Sequence, residues 1–254
     1  MSKDIAVILR DGSGSWDYNP NEVTVRKIIG LDGREKVQMR LDLGVLQMEI
    51  DGRPDGRHPY GHESLLDYHS EKMRRYRERY GETESFTLNE DECADLKQEA
   101  MQYYYRYLSL FHLGDYYNVI RDTEHNLKLF DFMRDFAADE SDRMSLEQFR
   151  PYVIMMNTRA KACIALERRD FDRALELIEA GIERIEDFLR EVGREDLAEN
   201  CREIAFLQEW SERIRTNRPL SPEEKLRREL QTAVEAENYE RAAQIRDELR
   251  ALIH

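Results

Sequence analysis

Glycine and proline are scarce in this chain, 12 and 6 of 254 residues. Their scarcity argues against a large, turn-rich sheet and favours helix. Cysteine is scarcer still: Cys93, Cys163 and Cys201 stand far apart. An odd number without paired spacing excludes a disulfide framework and a cysteine-based zinc site, so a reducing cytoplasm is the expected setting. Long apolar runs are missing; none approaches the ~20 residues that span a bilayer, and no membrane association is expected. The start, MSKDIAVILRDG, is charged and its apolar run is short, unlike a secretory signal. Positive charge is in deficit, with 39 Lys and Arg against 53 Asp and Glu and a net charge of −14. Such a chain is repelled by phosphate backbones, so nucleic acid is a disfavoured partner unless a local basic face compensates. No Ser-His-Asp order, phosphate-binding glycine loop, H-E-x-x-H or dinucleotide fingerprint occurs. A non-catalytic protein without a cofactor is therefore expected.

What is present suits a folded chain of one or two domains. Hydrophobic residues make up 41%, enough for a core, and charged residues 36%, which suggests long solvated helices. The first sixty residues read as β. Ile5–Leu9 is a short β-branched run, Val23 opens a second strand, and a third runs from about Lys36 to Ile50. A loop of Leu31, Asp32 and Gly33 would set Val25 opposite Met39 and Val23 opposite Leu41, with Gly33 left-handed in a G1 bulge. A two-residue loop would put those apolar residues on opposite faces, so the longer loop is preferred. The apolar phase switches near Gly44, which predicts a bulge or bend.

From Gly61 the pattern is helical. Helices are predicted over Glu63–Tyr80, Asn89–His112, and Asp115 to about Ala137. Ser145 with Gln148 opens another to about Arg168. Asp170 starts one ending near Gly193, and Asp196 to about Thr216 completes the set. The junctions in FHLGDYYNVIRDTEHNL and ALERRDFDRALELIEAGI both place an aromatic residue (Tyr116, Phe171) after a tight turn, and EAENYERAAQIRDEL repeats the rhythm. This stretch resembles a degenerate tetratricopeptide repeat. In the second copy Ala162, Phe171, Ala174, Ile178 and Gly181 fall on the repeat's positions; in the first, Val119 and Asn126 replace expected small residues.

The last segment is the most specific. Leu226, Leu230, Ala233 and Val234 share one helical face, and Ala242, Ile245, Leu249 and Leu252 share another. Glu237-Asn238 is a tight connection, with Asn238 suited to cap the second helix. Ser221 and Glu224 have capping-box spacing, and Pro222 sits at a first helical position. Leu226, Leu230, Ala233, Tyr239, Glu240, Ala242, Ala243, Arg246, Asp247 and Leu249 resemble the UVR motif of UvrB, UvrC, McsA and some Clp ATPases. The resemblance covers about an eighth of the chain. It implies an interaction hairpin that joins proteins and does no chemistry, with Tyr239, Ala242, Ala243, Ile245, Arg246 and Leu249 carrying the contact. The partners it implies are another UVR-bearing protein, such as an excision-nuclease subunit, a Clp-type ATPase or its adaptor, or a second copy of the chain.

The fold class expected is α+β, mostly α. A small N-terminal antiparallel β unit (1–60) precedes a tetratricopeptide-like helical array (61–218) and a UVR-like hairpin (219–254). The array should present a groove, and within the aromatic run Tyr104 and Tyr107 are its candidate contacts, since tyrosine offers apolar area with a polar tip. The loop holding Arg53, Asp55, Arg57 and His58 is a candidate functional surface. Its arginines suit carboxylate or phosphate, and Asp51 and Asp55 can pair with them in cis. His62, Glu63 and His69 gather possible metal ligands, but His62 and His69 lie one heptad apart, not at the chelating i, i+4 spacing. The helix carrying Lys72, Arg74, Arg75, Arg77 and Arg79 is a candidate nucleic-acid face or a core helix with paired arginines. The function expected is a bacterial protein–protein adaptor. The alternatives are a nucleic-acid-associated repair or defence accessory and an enzyme sited around Arg53–His69.

Overall fold

The computed structural model describes residues 9–11, 14–219 and 222–253, and most of them are helical. They form two compact units, Met1–Gln208 and Glu209–His254. The strand expected over Ile5–Leu9 lies outside the described residues except for Leu9, whose carbonyl accepts from Trp16 N at 2.7 Å. Strands β1 (Arg10–Asp11) and β2 (Gly14–Ser15) make a two-stranded ladder. Strands β3 (Val25–Ile29), β4 (Glu35–Leu41) and β5 (Gly44–Glu49) make an antiparallel sheet in sequence order.

The expected register holds, with Val25 paired to Met39 and Arg26 to Gln38. Gly30 N donates to Arg34 O at 2.8 Å, which closes the three-residue loop, and Gly33 takes φ +77°. The long third strand is corrected. Asp42 and Leu43 turn the chain, so the segment is the hairpin β4–β5 with Leu41 opposite Gly44. Reversal explains the phase switch, because it places Val37 beside Met48 and Met39 beside Leu46 on one apolar face. The opposite face is polar. Arg26 donates to Gln38 at 2.8 Å and Gln38 to Gln47 at 2.9 Å, beneath a Trp16 ring that stacks on Arg26 at 4.0 Å.

Nine α-helices follow among the described residues: α1 (Leu65–Tyr80), α2 (Glu90–His112), α3 (Tyr116–Phe136), α4 (Glu140–Met144), α5 (Arg150–Glu167), α6 (Phe171–Glu191), α7 (Arg202–Asn217), α8 (Pro222–Glu235) and α9 (Tyr239–Ile253). Asn89 and Glu92 form a reciprocal capping box at α2. Helix α1 begins at Leu65, capped by Ser64, and not at Glu63, and two further boundaries are corrected. Ser145 does not open a helix; it ends the short α4, and a 3-10 turn at Glu147–Phe149 leads into α5. Asp196 lies in a 3-10 turn, Glu195–Asn200, and α7 begins only at Arg202. The capping box expected at Ser221 and Glu224 lies outside the described side chains.

Helices α2, α3, α5 and α6 pack in succession, and α2 also packs on β4. At the α5–α6 crossing a Cβ on Gly181 would run into Thr158, whose own Cβ would stand at 2.9 Å. Only glycine permits that approach. Three helix-to-helix junctions share one geometry, which also ends α6 at Gly193, where Arg194 N donates to Leu189 O at 2.8 Å. Gly114, Arg169 and Glu237 each take positive φ, and the next residue (Asp115, Asp170, Asn238) donates its N–H five residues back, to Leu110, Ala165 and Ala233 at 2.8–2.9 Å. This is a Schellman closure. An aromatic residue then starts each following helix (Tyr116, Phe171, Tyr239), and a buried residue follows one turn on (Val119, Ala174, Ala242). The sequence rhythm thus reflects a repeated backbone turn.

A buried ionic node fixes the sheet to the helices. Arg106 on α2 has no exposed side chain, and it grips Asp122 on α3 through Nε at 2.7 Å and Nη2 at 2.8 Å. Its Nη1 donates to the carbonyls of Glu49 at 3.0 Å and Gly52 at 2.7 Å. Arg121 adds a bond to Ile50 O at 2.7 Å and pairs with Asp51 at 3.2 Å. A second buried carboxylate, Glu99, accepts from the first two amides of α1, Leu65 N at 2.7 Å and Leu66 N at 3.1 Å. Burial pushes the Glu99 carboxyl upward, but His125 and those two amides outweigh it and hold it below the usual carboxylate range.

Removing one member of a buried pair strands the other charge. Asp122→Ala should lower unfolding free energy by roughly 3–5 kcal/mol in urea titrations, and a loss under about 1 kcal/mol would show that Asp122 is dispensable. Glu99 has a lowered folded-state pKa. Its contribution is therefore present above the ordinary carboxylate range and disappears as pH falls through the lowered value. Denaturation midpoints measured from neutral to about pH 3 should fall less steeply for Glu99→Gln than for the parent chain.

Candidate functional site

The first unit contains an open, largely apolar cavity of about 520 Å³. Helix α2 contributes Ala100, Met101, Tyr104, Tyr105 and Tyr107, and α3 contributes Asn126 and Phe130. Leu146, Phe149, Tyr152 and Val153 supply the facing wall. Tyr104 is the centre of an aromatic group. Its ring lies 5.3 Å from Tyr105, 5.5 Å from Tyr107 and 6.2 Å from Tyr152. Helical spacing explains the division of labour in the tyrosine run. Tyr103 and Tyr107 are buried, Tyr107 where the core meets the cavity, and Tyr104 and Tyr105 are half-buried at the cavity. Burial raises the Tyr104, Tyr107 and Tyr152 phenols, so they stay neutral at physiological pH. Met101 and Phe149, both 47% exposed, are also among the lining residues.

Tyr104 and Tyr107, predicted as groove contacts, thus line one site. Phe149, Tyr152 and Glu203 were not singled out from sequence. Asn126 carried a signal, since it stands where a small residue was expected. It is buried, its Nδ2 donates to Ala100 O at 3.0 Å, and its Oδ1 has no hydrogen-bond partner among the described residues.

The loop at Arg53–His58 borders a second, polar cavity of about 590 Å³, also lined by Asp95, Gln98 and Gln102. Arg53 approaches Asp55 at 3.4 Å and Glu99 at 3.3 Å, and Arg57 N donates to Asp55 at 3.0 Å. Asp55 therefore pairs in cis as expected, and Asp51 pairs with Arg121 instead. Convergent polar side chains are what the enzyme reading predicts here, and Arg53, Asp55, Arg57, His58 and Asp95 do line this cavity. Of the possible metal ligands, His69 is buried against Tyr68, with His62 on the same ring. No group of three potential ligands occurs among the described residues. Helix α1 pairs Arg74 and Arg75 within itself, and Arg77 and Arg79 have no ion pair among the described residues. Glu71 binds Arg74 and Arg75 at 2.7 Å each, and Lys72 pairs with Glu92.

In the second unit, α8 and α9 form an antiparallel hairpin. Ala233, Ala242, Ile245 and Leu249 are buried in its seam, with Leu226 and Leu230 packed against them. Ile245 is only 1% exposed. Ala242, Ile245 and Leu249, predicted partner contacts, therefore face the hairpin's own interior. Tyr239, Ala243 and Arg246 lie on its surface, with Tyr239 69% exposed. Val234, expected on the seam, is 48% exposed. It sits one residue past Ala233, so the two cannot share a narrow seam. Asn238 caps α9 by accepting from Arg241 N at 3.2 Å, as predicted. Leu252 lies outside the described side chains.

Glu237 closes this hairpin at φ +55°, a conformation that strains any residue with a Cβ. Glu237→Gly should raise hairpin stability by roughly 1 kcal/mol. Amide hydrogen exchange across residues 226–249 should slow accordingly, and faster exchange would contradict the strain argument.

A family model described as the UvrB/uvrC motif (UVR) matches residues 224–252. No helix among the described residues is long and apolar enough to cross a membrane. The tetratricopeptide-like stretch has no family match. No curated protein and no solved structure matches the chain; what the comparisons place on this protein is the UVR motif on its terminal hairpin.

Proposed function

We propose that this chain is a non-catalytic adaptor of a bacterial cytoplasm, joining a partner protein through its UVR hairpin and through the apolar cavity of its helical array. One observation carries the reading. The hairpin matched by the motif fills its own seam with Ala233, Ala242, Ile245 and Leu249 and keeps Tyr239 and Val234 exposed beside the turn. Single exposed apolar residues are ordinary on a protein surface, and Leu31 and Leu43 are more exposed still; Tyr239 and Val234 count here because they flank the turn of the hairpin that the motif matches, where anchors for a partner would stand. The tetratricopeptide-like rhythm and the aromatic cavity support the same reading, because stacked hairpins that leave an apolar concavity suit peptide capture. The partner classes are another UVR-bearing protein, such as an excision-nuclease subunit, a Clp-type ATPase or its adaptor, or a second copy of this chain.

The pairing of Arg74 and Arg75 with Glu71, and of Lys72 with Glu92 on α2, weakens the nucleic-acid alternative, since phosphate would have to displace those carboxylates. Affinity for single-stranded DNA that collapses between low and high salt would revive it.

Affinity capture with the full chain is the test, using Tyr239→Asp combined with Ala243→Glu. Both positions are exposed, so the hairpin should survive, as circular dichroism would verify. Losing one aromatic anchor and adding two charges should cut partner recovery at least ~10-fold. An unchanged partner set with an intact fold would reduce the hairpin to a structural element.

A further inference from the structure

The apolar cavity of the first unit has a chemical bias beyond its greasiness. Its walls are rich in electron-dense rings: Tyr104, Tyr105, Tyr107, Phe130, Phe149 and Tyr152. Two acceptors also belong to its lining. One is the buried Asn126, whose Oδ1 has no hydrogen-bond partner among the described residues. The other is Glu203, a half-buried carboxylate at the start of α7. Glu203 has no ion-pair partner among the described residues, and its side chain accepts only from the Cys201 thiol, at 3.4 Å. The lining holds one cation, Lys97, and that is already paired with Asp142 at 2.8 Å. Arg159, held between Phe111 and Phe206 at 4.3 and 4.7 Å, is not among the lining residues. Aromatic faces, an unsatisfied acceptor and an uncompensated carboxylate share one complement, a cation on an apolar stem. The chain's net charge of −14 favours a basic partner in the same sense.

We propose that this cavity receives a lysine or arginine side chain from a basic segment of the partner protein. The stem would lie along the tyrosines, and the charged head would meet Glu203 and Asn126. This assignment rests on the adaptor reading and names the chemistry of the partner.

The test titrates the full-length chain, followed by NMR, with the peptides Ac-Gly-Lys-Gly-NH2 and Ac-Gly-Arg-Gly-NH2. Ac-Gly-norleucine-Gly-NH2 serves as the uncharged counterpart. At least one basic peptide should bind saturably and roughly tenfold more tightly than the norleucine peptide, shifting resonances of Tyr104 and Tyr152. Glu203→Gln should weaken it about fivefold, Tyr152→Leu should do so too, and the norleucine peptide should be indifferent to Glu203→Gln. Equal affinity for the norleucine peptide would make the cavity merely apolar and overturn the proposal. So would basic-peptide binding untouched by Glu203→Gln, or no binding by either basic peptide. The two readings are scored apart. Hairpin variants can leave partner capture unchanged while the peptides still bind, and the peptides can fail while capture still depends on the hairpin.

Discussion

The fold of the first unit depends on one guanidinium. Arg106 spends four hydrogen bonds on two kinds of acceptor: the Asp122 carboxylate on α3, and the carbonyls of Glu49 and Gly52 where the chain leaves β5. The planar fork of arginine makes this possible; a lysine has neither the reach nor the fixed directions. Buried without a counter-charge, that group would be intolerable, so the sheet, α2 and α3 have to assemble together. Arg121 repeats the device from the neighbouring helix, through Ile50 O and Asp51. The sheet is small, and its apolar face alone would hold it weakly. Polar clamps at its exit set its position on α2.

This arrangement determines where the cavity falls. Tyr103 and Arg106 are committed to the core side of α2, so Tyr104 is turned toward Tyr152 of α5 by the helical period. The small residues of a regular repeat would let α2, α3 and α5 close together. Asn126 is larger and polar, its Oδ1 has no partner among the described residues, and the lining continues through Leu146 and Phe149 at the 3-10 turn that follows α4. The hairpin of the second unit follows the opposite plan. Its seam is filled with small and branched residues, and its unspent surface lies outside, around Tyr239.

Much of this was legible in the sequence, for identifiable reasons. The β3–β4 register follows from requiring one buried face, and Gly33 marks the loop that delivers it. The helix caps at Asn89, Asp170 and Asn238 are local chemistry and read directly. The β4–β5 turn was harder to see. Asp42-Leu43 has no glycine or proline, and a phase switch looks the same for a bulge as for a reversal. The start of α5 was misplaced because Ser145 and Gln148 fit a capping pattern that the chain spends on ending α4. The cavity was half visible. Tyr104 and Tyr107 stood out by type, but Tyr152 and Glu203 join them only through tertiary packing. The pairing of Arg106 with Asp122, sixteen residues apart, has no sequence signature at all.

The three matching turns are not equal. Gly114 adopts its left-handed conformation freely, whereas Arg169 and Glu237 do so against the steric demand of a side chain. Arg169 is held in place by the long, well-packed helices on either side of it. Glu237 has only a short seam to restrain it. Warming should therefore splay the final pair before the array loosens, and the chain carries its own order of melting. A partner that clasps the splayed or the closed form would be choosing between populations set by a single backbone angle.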